Sequence, residues 1–205
     1  MKKRIYKSPA RKAQAQKTKQ RLLAAAKKLF QKKGVEKTTI EDIALLAQTS
    51  VPTVYSLFQS KLGVLRTLLD NALSQDRFEA LVQKGTTEKS PIKRLEATAR
   101  IARALYDAEK NLIDLLDGAV ALDPTFKKLE TKREKRRYFR QEEAMKYMSE
   151  KGYLRADLSL AKAQDILWAF TGRDLYRLMV IERGWSADEY EKWLADLLIR
   201  TLLKK

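Results

Sequence analysis

Apolar residues recur three and four positions apart along most of this chain, which is the spacing of one face of an α-helix. The first such run predicts a helix over residues 14–33, with Leu22, Ala26 and Phe30 on its apolar face. The sequence lacks the alternation typical of strands, and its seven glycines and four prolines lie between long periodic segments. We therefore predict an all-α protein of about nine helices.

Capping residues predict where the N-terminal helices begin and end. Gly34 is a suitable left-handed stop for the first helix. Thr38, with Glu41 three residues later, predicts a capping box at the start of the second helix. Ser50 is a good N-cap for a short third helix, and a fourth helix is predicted over residues 61–83.

The later helices are bounded by similar signals. Ser90-Pro91 and Asp123-Pro124 each combine a cap with a proline in the first helical turn, and Gly152 and Gly184 are helix stops. The predicted helices therefore begin at residue 91 and near residue 125, cover about 161–183, and resume after the capping box formed by Ser186 and Glu189.

The excess of positive charge lies at the N-terminal end. Residues 1–61 hold 15 Lys and Arg but only 3 Asp and Glu, so they contribute +12 of the net charge of +17. A basic segment of this size predicts a polyanionic partner, either nucleic acid or an anionic membrane surface. A solvated tail remains an open alternative for residues 1–13.

Two short helices joined by a tight turn, over residues 39–58, have the size of a DNA-binding helix-turn-helix. At about 100° per residue, Val51, Val54 and Phe58 fall on one side of the third helix and are predicted to pack inward. The opposite side carries small and polar residues that can approach base edges in a major groove: Pro52, Thr53 and Ser56.

Other residues near the turn can contact the DNA backbone. The ring of Tyr55 can pack while its hydroxyl reaches a phosphate. Lys61 is a cation in the first turn of a helix, where it opposes the helix dipole unless an anion binds there. Each residue alone is equally well explained as a cap, a core tyrosine or a surface lysine, but together they favour DNA. The predicted DNA-binding residues are Thr38, Thr39, Ser50, Pro52, Thr53, Tyr55, Ser56 and Lys61.

The residues from Thr18 to Lys61 include the runs Thr38-Thr39-Ile40, Pro52-Thr53-Val54-Tyr55 and Ser60-Lys61. This stretch resembles the TetR/AcrR family of transcriptional regulators, although Gln48-Thr49 stands where that family usually has Gly-Val. The resemblance implies a nine-helix homodimer with an N-terminal DNA-binding domain and a C-terminal domain that binds a small effector. It also implies that five residues contact DNA: Thr39, Pro52, Thr53, Tyr55 and Lys61.

We accordingly predict a basic arm (residues 1–13), a helix-turn-helix domain (14–60) and a ligand-binding and dimerisation domain (61–205). The segment 161–183 is apolar over most of its circumference, so it must be buried on more than one side. Together with the last helix and their twofold copies it could form a four-helix dimer interface. Both helices could instead fill the core of one monomer, and the resemblance favours the dimer.

Aromatic and methionine residues on the central helices are candidates for an effector pocket, although such residues more often form plain core. Asp114, Asp117, Arg173 and Arg177 lie on apolar segments and could fix a polar ligand group or pair with one another. The predicted ligand-binding residues are Tyr106, Leu116, Tyr138, Met145, Trp168 and Phe170.

The chain contains no histidine and no cysteine. This excludes the commonest general base and metal ligand as well as any thiolate chemistry, so we predict no enzyme activity, no metal and no cofactor. No stretch approaches the roughly 18 apolar residues of a membrane span, and we expect a soluble, cytoplasmic protein.

The predicted function is that of a ligand-responsive, sequence-specific DNA-binding regulator. We expect a repressor that a small effector releases from its operator. The alternative is a non-specific or architectural nucleic-acid-binding protein that uses its basic N-terminal arm.

Overall fold

The computed structural model describes residues 9–72, 75–110, 113 and 124–204. Regular structure in this part of the chain is helical, apart from one antiparallel bridge between Leu154 and Leu203. The prediction of an all-α chain is confirmed. None of the described helices is long and apolar enough to cross a membrane.

The first four helices form one unit, whose described part ends at Asn71. Helix α1 packs against α2 and α4, and α3 packs against the same two helices. The fully buried side chains of this unit include Leu22, Phe30, Ile43 and Val54, which come from three different helices. The helices are α1 (Pro9–Lys33), α2 (Ile40–Leu46), α3 (Val51–Phe58) and α4 (Lys61–Asp70).

Two boundaries in this unit differ from the sequence prediction. Helix α1 begins at Pro9, so it includes part of the predicted arm. Helix α4 ends at Asp70 instead of continuing to residue 83, and it belongs to the first unit rather than to the domain predicted from residue 61. The reason is packing, because Val64 and Leu65 of α4 are fully buried in the core of the first unit.

The second unit contains the remaining helices around a core of aromatic and aliphatic side chains. Its centre holds Tyr176, whose ring centroid lies 5.9 Å from that of Tyr106 and 5.2 Å from that of Tyr190. Helix α10 packs along α6, and α7 packs along α8. The helices are α5 (Gln75–Thr87), α6 (Pro91–Glu109), α7 (Pro124–Glu150), α8 (Leu160–Phe170), α9 (Arg173–Tyr176) and α10 (Ala187–Leu202), with a π-helical turn over Arg177–Glu182.

The single helix predicted over 161–183 is therefore wrong, because the structure divides it into α8, α9 and the π-helical turn. The interruption falls at Thr171 and Gly172. The Thr171 hydroxyl donates to the carbonyl of Leu167 at 2.6 Å, a side-chain bond of the kind that bends helices, and glycine has a low helix propensity.

Candidate functional site

Thr38 ties the loop between α1 and α2 to the core of the first unit. Its side chain is fully buried, and its hydroxyl donates to the carbonyl oxygen of Gly34 at 2.7 Å. The hydroxyl is therefore used inside the unit and does not reach the surface. This is contrary to the prediction that Thr38 contacts DNA.

Thr39, one residue later, is the N-cap of α2. Its hydroxyl accepts from the backbone N–H of Asp42, whose carboxylate accepts from the backbone N–H of Thr39, so the two residues form a capping box. The predicted pair, Thr38 with Glu41, is thus displaced by one position. Lys33 bonds the same carboxylate at 2.5 Å, and this contact, with the bonds from Thr39, lowers the pKa of Asp42 to about 2.

The turn between α2 and α3 requires a left-handed backbone at Gln48, whose φ is +51°. The N–H of Gln48 donates to Leu45 and that of Thr49 donates to Ala44, so the turn closes tightly onto the end of α2. Residues other than glycine rarely adopt this backbone conformation. The turn therefore places a residue other than glycine in the left-handed region at position 48.

Helix α3 presents one buried and one exposed face. Val54 and Phe58 are buried as predicted, whereas Val51 is only partly buried. Pro52 and Ser56 are exposed and Thr53 is half-exposed. The small exposed side chains leave room for another surface to approach the helix closely. Pro52, Thr53 and Ser56 form what we call the α3 face.

Two hydroxyls at the start of α3 are linked to each other. Ser50 is the N-cap residue, but its Oγ lies 2.8 Å from Thr53 Oγ1 and makes no capping bond to the backbone. Tyr55, on the side of α3, is 49% exposed. The hydroxyls of Ser50, Thr53 and Tyr55 therefore lie on the part of the first unit that also carries the α3 face.

Helix α1 lines one side of a groove beside the α3 face. Gln14, Ala15 and Thr18 border this groove together with Thr53 and Leu57. Gln14 and Ala15 were not predicted from the sequence, because a groove between two helices depends on how the helices pack. Their spacing of four and three residues from Thr18 and the polarity of this part of α1 were the only available signals.

Lys61 lies in the first turn of α4, and its ammonium donates to the carbonyl oxygen of Glu36 at 2.9 Å. The partner is a neutral carbonyl, so the positive charge of Lys61 is not neutralised by this contact. The bond connects the start of α4 to the loop that precedes Thr39.

The second unit contains a cavity of about 100 Å³ between α5, α6, α7 and the end of α8. Apolar side chains form most of its wall, including Phe78 and Val82 from α5 and Ile101 and Leu105 from α6. Cavities of this kind, with apolar walls and a few polar groups, are where proteins bind small molecules. It is the candidate ligand site of the second unit.

Tyr106 is one of the six predicted ligand-binding residues, and it lines this cavity. Burial raises the pKa of its hydroxyl above the usual value, so the group stays protonated and can donate a hydrogen bond.

The other predicted ligand-binding residues that the structure describes do not line this cavity. Met145 is fully buried in the core, and Phe170 packs against that core. The Tyr138 hydroxyl donates to Asp165 at 3.1 Å, and the Trp168 indole N–H donates to Glu134 at 3.0 Å. Leu116, like Asp114 and Asp117, lies outside the described residues.

Arg173 and Arg177 are used in ion pairs. Arg173 contacts Glu130 at 3.2 Å, and Arg177 contacts Glu182. The charged and amide side chains of the cavity lining come instead from residues that were not predicted from the sequence: Arg94, Arg137, Arg140 and Gln141. The spacing of Arg137, Gln141 and the buried Met145 and Met148 along α7 is a helical-face signal that could have revealed two of them.

Comparison with known proteins agrees with the geometry of the first unit. The sequence profile of the bacterial regulatory proteins of the tetR family matches residues 22–68. The transcriptional regulator TtgR of Pseudomonas putida is 32% identical over 81 residues, which cover 40% of this chain and 39% of TtgR. The chain therefore aligns with about two fifths of the length of this curated relative.

Solved structures match nearly the whole chain. A protein from Saccharomonospora viridis in complex with choline has a TM-score of 0.70 and 21% identity, and the match covers 93% of this chain and all of that one. NalD, the secondary repressor of the MexAB-OprM efflux pump of Pseudomonas aeruginosa, has a TM-score of 0.69 and 18% identity, over 93% and 99% of the two chains. At these identities the likeness shows the fold.

The first unit, with its capped α2, tight turn and exposed α3 face, is a helix-turn-helix domain. Over residues 22–68, which lie in this unit, the sequence is similar to the bacterial regulatory proteins of the tetR family.

Proposed function

We propose that the protein is a sequence-specific DNA-binding regulator that acts as a homodimer and represses transcription until a small effector releases it. The observation that carries this proposal is the α3 face, where small and polar side chains stand exposed on a helix held by a tight turn. A helix of this kind fits the major groove, where each base pair presents a distinct pattern of donors and acceptors.

Contacts to phosphates would hold this helix in register. Thr39 opens α2 and is exposed there, and Lys61 keeps a positive charge beside the same loop. Tyr55 offers a half-exposed hydroxyl on the side of α3. Such contacts supply affinity without sequence preference, whereas Thr53 and Ser56 are proposed to read bases.

The proposed dimer gives the protein two reading helices. In DNA-binding dimers, such helices contact half-sites that are about 34–36 Å apart. The exposed apolar residues Leu178 and Ile181, on the π-helical turn of the second unit, support a partner surface there. An effector that changes the separation of the two helices weakens DNA binding, and by linkage DNA weakens effector binding equally.

Repression is the direction of control that the likeness to NalD favours, since that protein is a repressor. The cavity of the second unit is the proposed effector site. Because the proposed target is bacterial chromosomal DNA, we propose that the protein works in the cytoplasm.

The test is selection of binding sites from a randomised duplex library, followed by anisotropy titrations of the selected duplex and of unrelated DNA. We expect a twofold-symmetric consensus and a preference of at least about 10³ over unrelated DNA. Thr53→Ala should relax the preference at particular bases, at a cost of about 1–3 kcal/mol at those positions. An unchanged base profile would contradict the assignment of the α3 face.

Lys61→Ala is the companion variant. It should weaken binding to all sequences alike and lower the salt slope by about one. Lys151→Ala, which removes an exposed lysine of the second unit, is the matched control and should leave the slope unchanged.

The concentration of charge in residues 1–61 also favours a second candidate, a non-specific nucleic-acid-binding protein that uses its basic arm. Since α1 begins at Pro9, deletion of residues 1–8 removes four basic residues of the arm, Lys2, Lys3, Arg4 and Lys7, without shortening this helix. Loss of all DNA binding in this variant would favour the second candidate. A retained preference for the selected site would favour the first.

A further inference from the structure

The lining of the cavity in the second unit is mainly apolar but also contains positively charged side chains. Three arginines, Arg94, Arg137 and Arg140, are among its lining residues. The described lining includes no aspartate and no glutamate. Guanidinium groups next to an apolar wall are a favourable site for a carboxylate or a similar anion, which they bind with paired hydrogen bonds.

Little of this charge is neutralised by the protein. Arg137 bonds the carboxylate of Glu134 at 2.6 Å. Arg94 donates to the backbone carbonyls of Thr86 and Glu88, which carry no net charge. The charge of Arg94 is therefore satisfied by hydrogen bonds but not balanced by an anion within the described part of the chain.

Arg140 is the most available of the three cations. Its guanidinium lies over the ring of Phe78, 4.7 Å from the ring centroid, and it forms no ion pair among the described residues. Partial burial and the neighbouring charge of Arg136 lower its pKa. Because Arg140 lines the cavity and is also exposed to solvent, it lies where the cavity opens.

Gln141 supplies an additional polar group. The Thr171 hydroxyl donates to Leu167 and accepts from Arg137 at 2.9 Å and from the Gln141 amide N–H at 2.7 Å, so its bonding capacity is filled. This arrangement fixes the orientation of the amide. The Gln141 carbonyl oxygen is left buried without a partner, and a buried acceptor of this kind is normally bonded by a ligand or a water.

We propose that this cavity binds a small amphipathic anion, with its carboxylate at Arg140 and its apolar part between Phe78, Val82 and Leu105. The identification of this anion as the effector rests on the proposed function. A cavity of about 100 Å³ is smaller than the 150 Å³ cavity that holds one benzene molecule. A longer ligand must therefore displace the side chains of α5 from those of α6 and α7.

The test uses straight-chain carboxylates from butanoate to decanoate, with the alcohol and the ammonium ion of each chain length as neutral and cationic controls. Binding to the full-length protein is measured by calorimetry. We expect the carboxylate to bind at least tenfold more tightly than the alcohol of equal length, and the ammonium ion to bind most weakly. The basis is the strength of a charge-assisted hydrogen bond, on the order of tenfold in affinity.

Arg140→Gln should reduce the affinity for the best carboxylate about tenfold and leave the alcohol unaffected, since it removes only the charge-assisted contact. Arg136→Gln is the matched control, because Arg136 is exposed on the same helix but does not line the cavity. Since Arg140 is exposed, the Arg140 variant should fold, which circular dichroism verifies.

Three results would overturn the proposal. They are equal affinity for alcohol and carboxylate, an equal loss in the Arg136 and Arg140 variants, and no binding of any tested carboxylate at millimolar concentration. A parallel titration of the selected DNA, with and without the carboxylate, tests the ligand class and the proposed effector role independently. Carboxylate binding that depends on Arg140 but leaves DNA affinity unchanged supports the ligand class and refutes the effector role.

Discussion

Replacing Gln48 by glycine should stabilise the first unit. Gln48 has a φ of +51° in the turn between α2 and α3, and its side chain is exposed. Glycine adopts this conformation without the repulsion between Cβ and the following carbonyl oxygen that other residues suffer. The substitution therefore removes backbone strain from the turn that positions α3.

Two opposing terms determine the size of the effect. The left-handed conformation costs a non-glycine residue about 1–2 kcal/mol. Glycine makes the unfolded chain more flexible, which costs about 0.4–1 kcal/mol. The expected net gain is about 0.5–1 kcal/mol, which in urea corresponds to a midpoint shift of roughly 0.3–0.5 M.

Gly34→Ala is the matched control with the opposite sign. Gly34 has a φ of +81°, and a Cβ built there would meet no atom within 4 Å, so alanine suffers only the backbone strain. It should destabilise the same unit by about 0.5–1 kcal/mol, from the same two terms.

The assay can distinguish the two units, because all three tryptophans, Trp168, Trp185 and Trp193, lie in the second unit. Urea unfolding followed by circular dichroism reports on both units, whereas tryptophan fluorescence follows the second. Both substitutions should shift the dichroism transition of the first unit. A destabilised Gln48→Gly variant beside a destabilised Gly34→Ala variant would refute the reasoning, since the Gln48 side chain would then outweigh the strain.

Two further predictions concern charged groups. The ion pair with Lys33 and the bonds from Thr39 lower the pKa of Asp42 to about 2, so their contribution to stability is complete above pH 4 and is lost as the pH falls towards 2. An acid titration by circular dichroism should show this loss for the wild type but not for Asp42→Asn. Arg133→Leu leaves Glu109 buried without its 2.6 Å partner and should cost about 3 kcal/mol at pH 7. Burial already raises the pKa of Glu109, so the cost should be smaller at pH 5, where the carboxyl binds a proton more readily; a pH-independent cost measured by tryptophan fluorescence would contradict this account.

The helix ends that could be predicted are those with a local chemical cause. Gly34, Gly152 and Gly184 all have positive φ, and Pro91 and Pro124 each occupy a first helical turn. The end of α4 could not be predicted, because no glycine or proline lies at Asn71. The last buried residue of the helix is Leu69, and this burial depends on the packing of the first unit.

The two candidate sites differ in how far the sequence could predict them. The α3 face follows from the periodicity of one short helix, so Pro52 and Ser56 were found. Thr38 and Thr39 have similar side chains, and only the fold decides which of them is buried. The arginines of the cavity lie on helices that carry many other charged residues, and the sequence does not distinguish them from solvent-exposed ones. Their place in the cavity depends on packing between segments that are distant in the sequence.

The bond between Lys61 and the carbonyl of Glu36 has a mechanical consequence. It connects the start of α4 to the loop before α2, and α4 also packs against α1 and α3, so any movement of α4 in the proposed regulator would carry the first unit with it. Over the ten residues of α4, about 15 Å, a swing of roughly 10° carries Lys61 through about 2.6 Å. In the proposed dimer, opposite swings of the first units of the two protomers would change their separation by about 5 Å, one seventh of a helical turn of DNA. A change of this size in their separation would prevent the two α3 helices from entering successive major grooves at the same time.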